Sequence, residues 1–177
     1  MRNKIETKRL VLRPFVQTDW RSLVNYAGNI DVARATGRLP HPYSFADAQN
    51  WIEITKASDE NHIYGIAPKD NHLIGCISLT KTGTDDVPSW ELGYWLGQPH
   101  WHKGYMREAS SALLHEARAR LSPTKLHATV FKDNSRSLAL LRYHGFTHAA
   151  QTSEFCVARG HDVEAYRLAQ VLEVHNA

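Results

Sequence analysis

The segment 91–117 limits the fold more than any other part of the sequence, because it reads as a strand, a short loop with glycine and a long helix. The first N–H groups of a helix have no partner within it and lie at the positive end of its dipole, so they favour a phosphate or pyrophosphate. Gly104 lets the backbone approach such an anion closely, and Lys103 adds positive charge. By spacing alone, an ordinary turn from a strand into a helix also fits this segment.

The loop in this segment differs from the common nucleotide-binding loops. It lacks the GKS or GKT of a Walker loop and the GxGxxG spacing of a dinucleotide-binding turn, so neither nucleoside triphosphates nor dinucleotides are indicated as ligands. The helix that follows is amphipathic, since apolar residues recur at steps of three and four: Met106, Ala109, Leu113, Ala117 and Leu121.

Extended and helical patterns alternate along the rest of the chain. Their order, βααβββαβαββ when the short helix at Val32 is left out, predicts a mixed sheet with helices on both faces, of α/β or α+β class. Short β-branched and aromatic runs predict strands at 7–13, 62–67, 72–80, 90–96, 125–131, 146–157 and 163–168. Capping residues and periodicity predict helices that begin after Thr18 and Asp19, at Val32, after Ser44 with Asp47 in a capping box, and after Asp133 or Asn134.

Two local features add detail to this pattern. The helix after Ser44 carries an apolar stripe that includes Trp51, Ile52 and Ile54. Residues 68–71, with the sequence PKDN, predict the turn of a hairpin between two strands.

Composition restricts the class of protein further. The 177 residues favour a single domain over residues 1–177. Lys and Arg number 21 against 18 Asp and Glu, with no basic block, so neither nucleic-acid nor membrane-surface binding is indicated. No apolar run approaches the ~18 residues of a membrane span, and the N-terminus lacks the apolar region of a secretory signal. Cys76 and Cys156 stand alone in sequence, which fits a reducing cytoplasm.

Metal binding is not predicted. His100 and His102 can share one face of an extended segment, but no third residue of a metal-binding type follows at a spacing typical of a metal site. The tryptophans around this segment could stack on the bases of a single strand, but without a basic groove we prefer packing around a ligand channel.

Several motifs occur in an order and at separations that are typical of one family. They are ETKRLVLRPFVQTDW at the start, PHPYSFADAQNWI, LIGCISL with Gly75, ELGYWL, WHKGYMREA and VFKDNSRSLALLRYHGF. From about Thr7 to Leu168 the chain resembles the GCN5-related N-acetyltransferase (GNAT) superfamily, and within it the RimJ/RimL type, which acetylates N-terminal amines of ribosomal proteins and various small amines. The resemblance implies a mixed, mostly antiparallel sheet with one splayed parallel strand pair and helices on both faces.

The resemblance also implies acetyl-CoA as the co-substrate, bound between the splayed strands. Its pantetheine arm would pair with the backbone of Trp95 and Leu96 like an added strand. Asn134 would hydrogen-bond the same arm near the thioester, and Ser137 follows one helical turn later. The pyrophosphate would lie on the loop before the helix, where the implied binding residues are Trp101, His102, Lys103, Gly104, Tyr105 and Met106.

The sequence departs from the family pattern at several positions. Trp101 stands where many members have Gln or Arg, although Trp is common in this branch, and His102 and Met106 replace smaller residues. If the backbone at His102 has positive φ, it is strained. Leu141 occupies the position where many members carry a tyrosine as the acid, and Tyr143 lies roughly 200° around the helix from it, so it does not fill that role.

Acetyl transfer to an amine needs a neutral nucleophile, a polarised thioester and a proton for the departing thiolate. Glu91 is the candidate base, because it lies on the strand that would hold the cofactor and a carboxylate beside an apolar cleft can accept a proton. Its alternative role is an ion pair with a basic residue. The resemblance implies Ser137 as the acid, and a hydroxyl that only caps the helix or positions the cofactor is the alternative.

We therefore expect an acetyl-CoA-dependent N-acetyltransferase in which a primary amine, such as a peptide N-terminus, attacks directly within a ternary complex. The connector at 37–43, the N-terminal helices and the turn at 158–162 are expected to form the acceptor pocket. The rival enzyme acetylates a small amine, such as an amino acid, a polyamine or an antibiotic. A non-catalytic CoA-binding protein and a domain with a vestigial loop are further alternatives, and monomer and homodimer are both open.

Overall fold

The computed structural model describes residues 4–57, 61–69, 72–84, 87, 89–121 and 125–172. Its strands within these ranges are β1 (Ile5–Glu6), β2 (Leu10–Arg13), β3 (His62–Pro68), β4 (Gly75–Lys81), β5 (Ser89–Leu96), β6 (Lys125–Phe131), β7 (Thr147–Cys156) and β8 (His161–Val171). Its α-helices are α1 (Trp20–Ala27), α2 (Ile30–Arg34), α3 (Phe45–Ala57), α4 (Tyr105–Arg120) and α5 (Ser135–Tyr143), with short 3₁₀ turns at Gln17–Asp19 and Gln98–His100.

All eight strands belong to one sheet with the order β1-β2-β3-β4-β5-β6-β8-β7. Every neighbouring pair is antiparallel except β5 and β6, which are parallel and are connected through α4. The mixed, mostly antiparallel sheet with one parallel strand pair is therefore confirmed.

Helices cover both faces of this sheet, as predicted, because alternate residues of each strand point to opposite sides. On one face, Leu92 and Leu96 of β5 pack with α4 and α5, through residues such as Leu114 and Leu141. On the other face, Trp95 packs with a cluster built by α1 and α3 that includes Leu23 and Ile52. The side chains of β5 thus alternate between two cores.

The parallel pair opens after three residues. Pairing between β5 and β6 runs from Ser89 opposite Lys125 to Glu91 opposite His127 and then stops. Beyond that point, residues 92–96 of β5 pair with β4 only, and residues 128–131 of β6 pair with β8 only. We call the gap between these two stretches the wedge, and Glu91 with His127 its apex.

Several details of the helix starts differ from the prediction. Asp19 does not cap α1; it is 5% exposed and forms a two-point ion pair with Arg13, at 2.7 and 2.8 Å. The second helix begins at Ile30, earlier than predicted, because the Asn29 side chain accepts from its first N–H groups. The capping box of α3 is confirmed: Ser44 N–H donates to Asp47 Oδ2 at 2.7 Å, and Asp47 N–H donates to Ser44 Oγ.

Other differences concern the ends of strands and the buried face of α3. Within the predicted strand at 7–13, only Leu10–Arg13 forms a strand, β2, and the short β1 lies before the predicted range. β4 begins at Gly75, three residues later than predicted. Ile54 does not join the buried stripe of α3, since it is 56% exposed. β3 and β4 pair antiparallel, as a hairpin requires, but part of the turn predicted between them lies outside the described residues.

Candidate active site

A cleft of about 1530 Å³ opens at the wedge, which exceeds the 300–1,000 Å³ typical of a site for one drug-sized ligand. It passes from the loop before α4, through the wedge, to the face that carries α3. Lys103 is absent from its lining, and the carbonyl of Lys103 accepts a hydrogen bond from Arg9 Nη1 at 2.9 Å. The other predicted site residues all line the cleft: Glu91, Trp95, Leu96, Trp101, His102, Gly104, Tyr105, Met106, Asn134 and Ser137.

The loop before α4 has two residues with left-handed backbone conformation. Gly104, the N-cap of α4, has φ 75°, which a glycine adopts without strain. His102 has φ 60°, so the positive φ considered in the sequence analysis is present at a residue that carries a Cβ. The loop turns so that the first N–H groups of the sixteen-residue helix α4 border the cleft. This end of the cleft is suited to an anion.

A polar cluster fastens this loop and α4 to β2. Glu108 on α4 accepts from the Thr7 hydroxyl at 2.6 Å and from the backbone and side chain of Arg9 at 2.7 and 2.6 Å. Burial raises the pKa of Glu108, but the hydrogen bonds and charge of these partners outweigh it and hold that pKa below its ordinary value. The Arg9 guanidinium also lies 4.6 Å from the centre of the Tyr105 ring.

Cationic side chains border the same end of the cleft. Arg107 and Arg136 both line it, and the Arg136 guanidinium stacks 3.8 Å from the centre of the Trp101 ring. The Trp101 indole donates to the carbonyl of Leu96 at 2.7 Å, which fixes the loop to the end of β5. Fixed cations and free helix N–H groups together make this region electropositive.

Hydroxyl groups meet inside the wedge. The Tyr94 hydroxyl lies 2.7 Å from Ser137 Oγ, and burial raises the pKa of Tyr94 to about 12 although the contact with Ser137 opposes this. Asn134 caps α5 by accepting from the Ser137 N–H at 3.1 Å, and its amide donates to the Ala35 carbonyl at 3.4 Å. The phenol therefore remains protonated at neutral pH and can supply a proton to Ser137 or receive its hydrogen bond.

The opposite face of the apex carries Glu91 and His127 side by side. The Thr129 hydroxyl donates to Glu91 Oε1 at 3.5 Å, and this long contact leaves the carboxylate largely unpaired by other side chains of the described residues. His127 Nε2 lies 2.8 Å from the Thr82 hydroxyl. Burial lowers the pKa of His127, while Glu91 raises it and Arg167 and Lys125 lower it.

The mouth of the cleft on this face has mixed character. Trp51 and Ile54 of α3 and the exposed Phe155 of β7 give it an apolar rim. Among the described lining residues, the acidic ones are Asp47, Glu91 and Glu154, and the basic ones are Arg38, Arg107, Lys125, Arg136 and Arg167.

Sequence reasoning missed several of these residues. Tyr94 was placed on the correct strand but given no role, because Ser137 lies 43 positions away. Leu141 is buried and Tyr143 is 57% exposed, so the phenol nearest Ser137 comes from β5 and not from α5. No sequence signal marked His127, which lies within β6, or Arg9, which lies just before β2.

Three further structural features concern metal binding, membrane spans and cysteines within the described residues. No group of three or more His, Cys, Asp or Glu side chains there could hold a metal ion. None of the helices there combines the length and apolar character needed to cross a membrane. Cys76 and Cys156 are buried, and neither forms a disulfide.

Comparison with known proteins identifies the family. Residues 9–147 match the model of the acetyltransferase (GNAT) domain, so the chain belongs to the GNAT family and is an N-acetyltransferase. A similar protein from Bacillus subtilis (strain 168), YoaA, is named an uncharacterized N-acetyltransferase; it is 27% identical over 96% of this chain and 98% of its own length.

Solved structures share the fold. RimL, the ribosomal L7/L12 alpha-N-protein acetyltransferase, was solved in complex with coenzyme A. It superposes on this chain with a TM-score of 0.83 and is 17% identical, covering 97% of this chain and 99% of its own. The spermidine N-acetyltransferase from Vibrio cholerae, solved with CoA and spermine, superposes with a TM-score of 0.78. It is 19% identical and covers 93% of this chain and 96% of its own. At such low identity these likenesses establish the fold alone.

Proposed function

We propose that this protein transfers the acetyl group of acetyl-CoA to the N-terminal amine of a peptide or protein, as an enzyme of RimJ/RimL type. The observation that carries the proposal is the wedge: an electropositive loop lies at one end, paired hydroxyls lie inside, and a carboxylate with an imidazole lies at the apex. The eight strands of one sheet also support a single domain over residues 1–177, and its two unpaired buried cysteines agree with a cytoplasmic enzyme.

The residues present fit acetyl-CoA. The edge of β5 along the wedge has no partner strand among the described residues, so the backbone of Trp95 and Leu96 could receive an extended arm. The amides from His102 to Met106 would hold the pyrophosphate, with Arg107 and Arg136 supplying charge in place of Lys103. When bound, the thioester supplies an activated acetyl group.

Ser137 is proposed as the acid that protonates the departing thiolate. Its Oγ lies against the protonated Tyr94 phenol, which can restore the proton that Ser137 gives up. Asn134 accepts from the Ser137 N–H and so caps α5. This contact would hold Ser137 in position beside the thioester. Tyr94 would thus do from β5 what a tyrosine on α5 does in many family members.

Glu91 is proposed as the carboxylate that receives the acceptor ammonium. With Arg107 and Arg136 assigned to the pyrophosphate, the rest of the lining is balanced, and a polycation gains no net attraction there. Its basic residues are Arg38, Lys125 and Arg167, and its acidic residues are Asp47, Glu91 and Glu154. An open, mixed-charge mouth with an apolar rim suits a peptide end, which presents one cation and a neutral backbone. A small amino-containing molecule remains the second candidate, favoured by the cations that could hold its anionic group.

The test combines binding and turnover. Acetyl-CoA at 100 times its dissociation constant should stabilise the fold by about 2.7 kcal/mol, measured as a rise in melting temperature. Thiol release is then followed with spermidine, lysine and tetrapeptides bearing free N-terminal serine or alanine. An N-acetylated copy of each peptide is the control.

The outcomes separate the alternatives. Release that requires a free peptide N-terminus supports the proposal, and faster release with spermidine would contradict the acceptor class. Ser137→Ala should keep the thermal shift and lower kcat by about 10²-fold, as removal of a general acid does. A thermal shift without turnover on any amine would favour a non-catalytic CoA-binding protein, and no shift at all would refute the co-substrate.

A further inference from the structure

The imidazole of His127 occupies a position that the proposed chemistry does not yet use. His127 and Glu91 are the last paired residues of β6 and β5 before the strands part. Their side chains share one face, and neighbouring strands lie about 5 Å apart. Both line the cleft on the side where an acceptor would enter. An amine that approaches the wedge from this side meets both groups.

Hydrogen bonding bears on which ring nitrogen of His127 carries the proton. The Thr82 hydroxyl has one hydrogen, and both the Ser89 carbonyl, at 3.1 Å, and Nε2 of His127, at 2.8 Å, lie within its reach. We take the hydroxyl to donate to Ser89 and Nε2 to donate to the hydroxyl oxygen. In that arrangement Nδ1 is the basic nitrogen of the neutral ring.

That basic nitrogen is buried and has no hydrogen-bond partner among the described residues. Trp51 Nε1, Trp90 Nε1 and His100 Nε2 share this state, and a water, an ion or a reacting group can account for such an atom. Because Nδ1 is buried, a small shift of the ring or of its neighbours has to expose it before an acceptor can reach it. The charges that face the ring are Glu91 on β5, Lys125 on its own strand and Arg167 on β8. Burial and the two cations keep the pKa of the imidazole below its ordinary value, so the ring is neutral at pH 7 and ready to accept.

We propose that His127 is a catalytic residue whose Nδ1 takes the proton from the acceptor ammonium that Glu91 holds. The inference rests on the proposed function and names the base within it. Loss of the first proton to Nδ1 gives a neutral amine and an imidazolium flanked by the Glu91 carboxylate. The amine attacks the thioester carbonyl and forms the new C–N bond, and the C–S bond breaks as Ser137 protonates the departing thiolate. Tyr94 returns a proton to Ser137, and the second nitrogen proton passes through water to Tyr94. The imidazolium then releases its proton to water.

Proton transfer from the acceptor ammonium to the imidazole is uphill. An α-amine has an ordinary pKa near 8 and an imidazole near 6.5, and burial with two cations holds the pKa of His127 below that ordinary value. The Glu91 carboxylate offsets part of this cost, because it stabilises the imidazolium. Thr82 keeps the ring oriented after the transfer, because Nε2 donates to its hydroxyl in both charge states.

The experiment compares His127→Gln with His115→Gln, which alters an exposed histidine of α4 outside the cleft. The acceptor is the free tetrapeptide from the panel above, and kcat/KM is measured from pH 5 to 9. His127→Gln should lose about 10²-fold in kcat/KM and lose the acidic limb of the profile below pH 6.5. Its protection by acetyl-CoA should match the wild type, and His115→Gln should behave as the wild type throughout.

Two further results keep the inference separate from the proposed function. If the wild type turns over and His127→Gln keeps its rate and its pH profile, the inference is overturned while the function stands. If the wild type acetylates no amine, both fall together. Nitrogen-15 NMR of the free protein gives an independent readout: a proton on Nε2 is expected, as is a lower pKa of His127 in Glu91→Gln, and a proton on Nδ1 would overturn the assignment.

Discussion

Two residues of the loop before α4 have left-handed backbone, and only one of them is glycine. His102 has φ 60° and Gly104 has φ 75°. For a residue with a Cβ this conformation costs about 1–2 kcal/mol. The same geometry turns the first amides of α4 toward the cleft, so the strain belongs to the part of the chain that we propose binds the pyrophosphate.

Glycine substitution at His102 should therefore stabilise the protein. His102→Gly removes the strain but adds backbone freedom to the unfolded chain, which costs about 0.5–1 kcal/mol, so we expect a net gain of about 0.5 kcal/mol. Gly104→Ala is the matched control and should cost about 1–2 kcal/mol, because its φ is also positive. Urea unfolding measures both. A loss of stability in His102→Gly would show that other His102 contacts outweigh the strain.

At the scale of elements, β2 and α4 are joined by Arg9 and Glu108. The Arg9 guanidinium donates hydrogen bonds to the Glu108 carboxylate and the Lys103 carbonyl. It also lies over the face of the Tyr105 ring. The exposed guanidinium adds little stability as an ion pair, since exposed pairs are worth about 0–1 kcal/mol. Its larger effect is to hold the loop before α4 in one position.

Arg9→Ala should accordingly raise KM for acetyl-CoA several-fold with kcat nearly unchanged, because the loop loses its support while the apex stays intact. Arg9→Lys is the matched control for charge: it keeps the cation but cannot bond the carboxylate and the carbonyl together. Steady-state kinetics with varied acetyl-CoA separates the two parameters. A fall in kcat alone would place the role of Arg9 in the chemistry.

For the whole molecule, half-buried histidines make the stability of the fold depend on pH. Burial lowers the pKa of His100, His127 and His144, and neighbouring cations lower each further. His144 is held between α5 and α4 by a 2.7 Å contact with the Ser110 hydroxyl. Each of these pKa values lies below the unfolded value of about 6.5, so the unfolded chain binds more protons as the pH falls through that range.

The urea midpoint should thus be highest above pH 7 and should fall progressively below about pH 6.5, toward the lowered folded pKa values. His144→Gln should flatten part of this slope, because the neutral side chain has no proton to gain. His115→Gln, at an exposed position, should leave the slope unchanged. Equal slopes in the wild type and His144→Gln would show that His144 does not contribute.

The strands, the long helix and the glycine loop could be predicted from sequence because each depends on residues a few positions apart. Periodicity at three and four residues defined α4, and the reciprocal hydrogen bonds of Ser44 and Asp47 began α3 as expected. The prediction failed at Asp19, where a partner six residues away, Arg13, competes for the carboxylate that could have capped a helix.

The sequence by itself determined the family and the sheet with its one parallel pair, and all but one of the site residues that it predicted line the cleft. Only the tertiary structure decided where β5 and β6 part, that Tyr94 meets Ser137 across 43 positions, and that Arg9 meets Glu108 across 99. Local hydrogen bonds and side-chain periodicity are encoded by near neighbours, whereas the partner of a side chain on the next strand is set by register. The apex of Glu91 and His127 depends on such a register and became visible only in the folded chain.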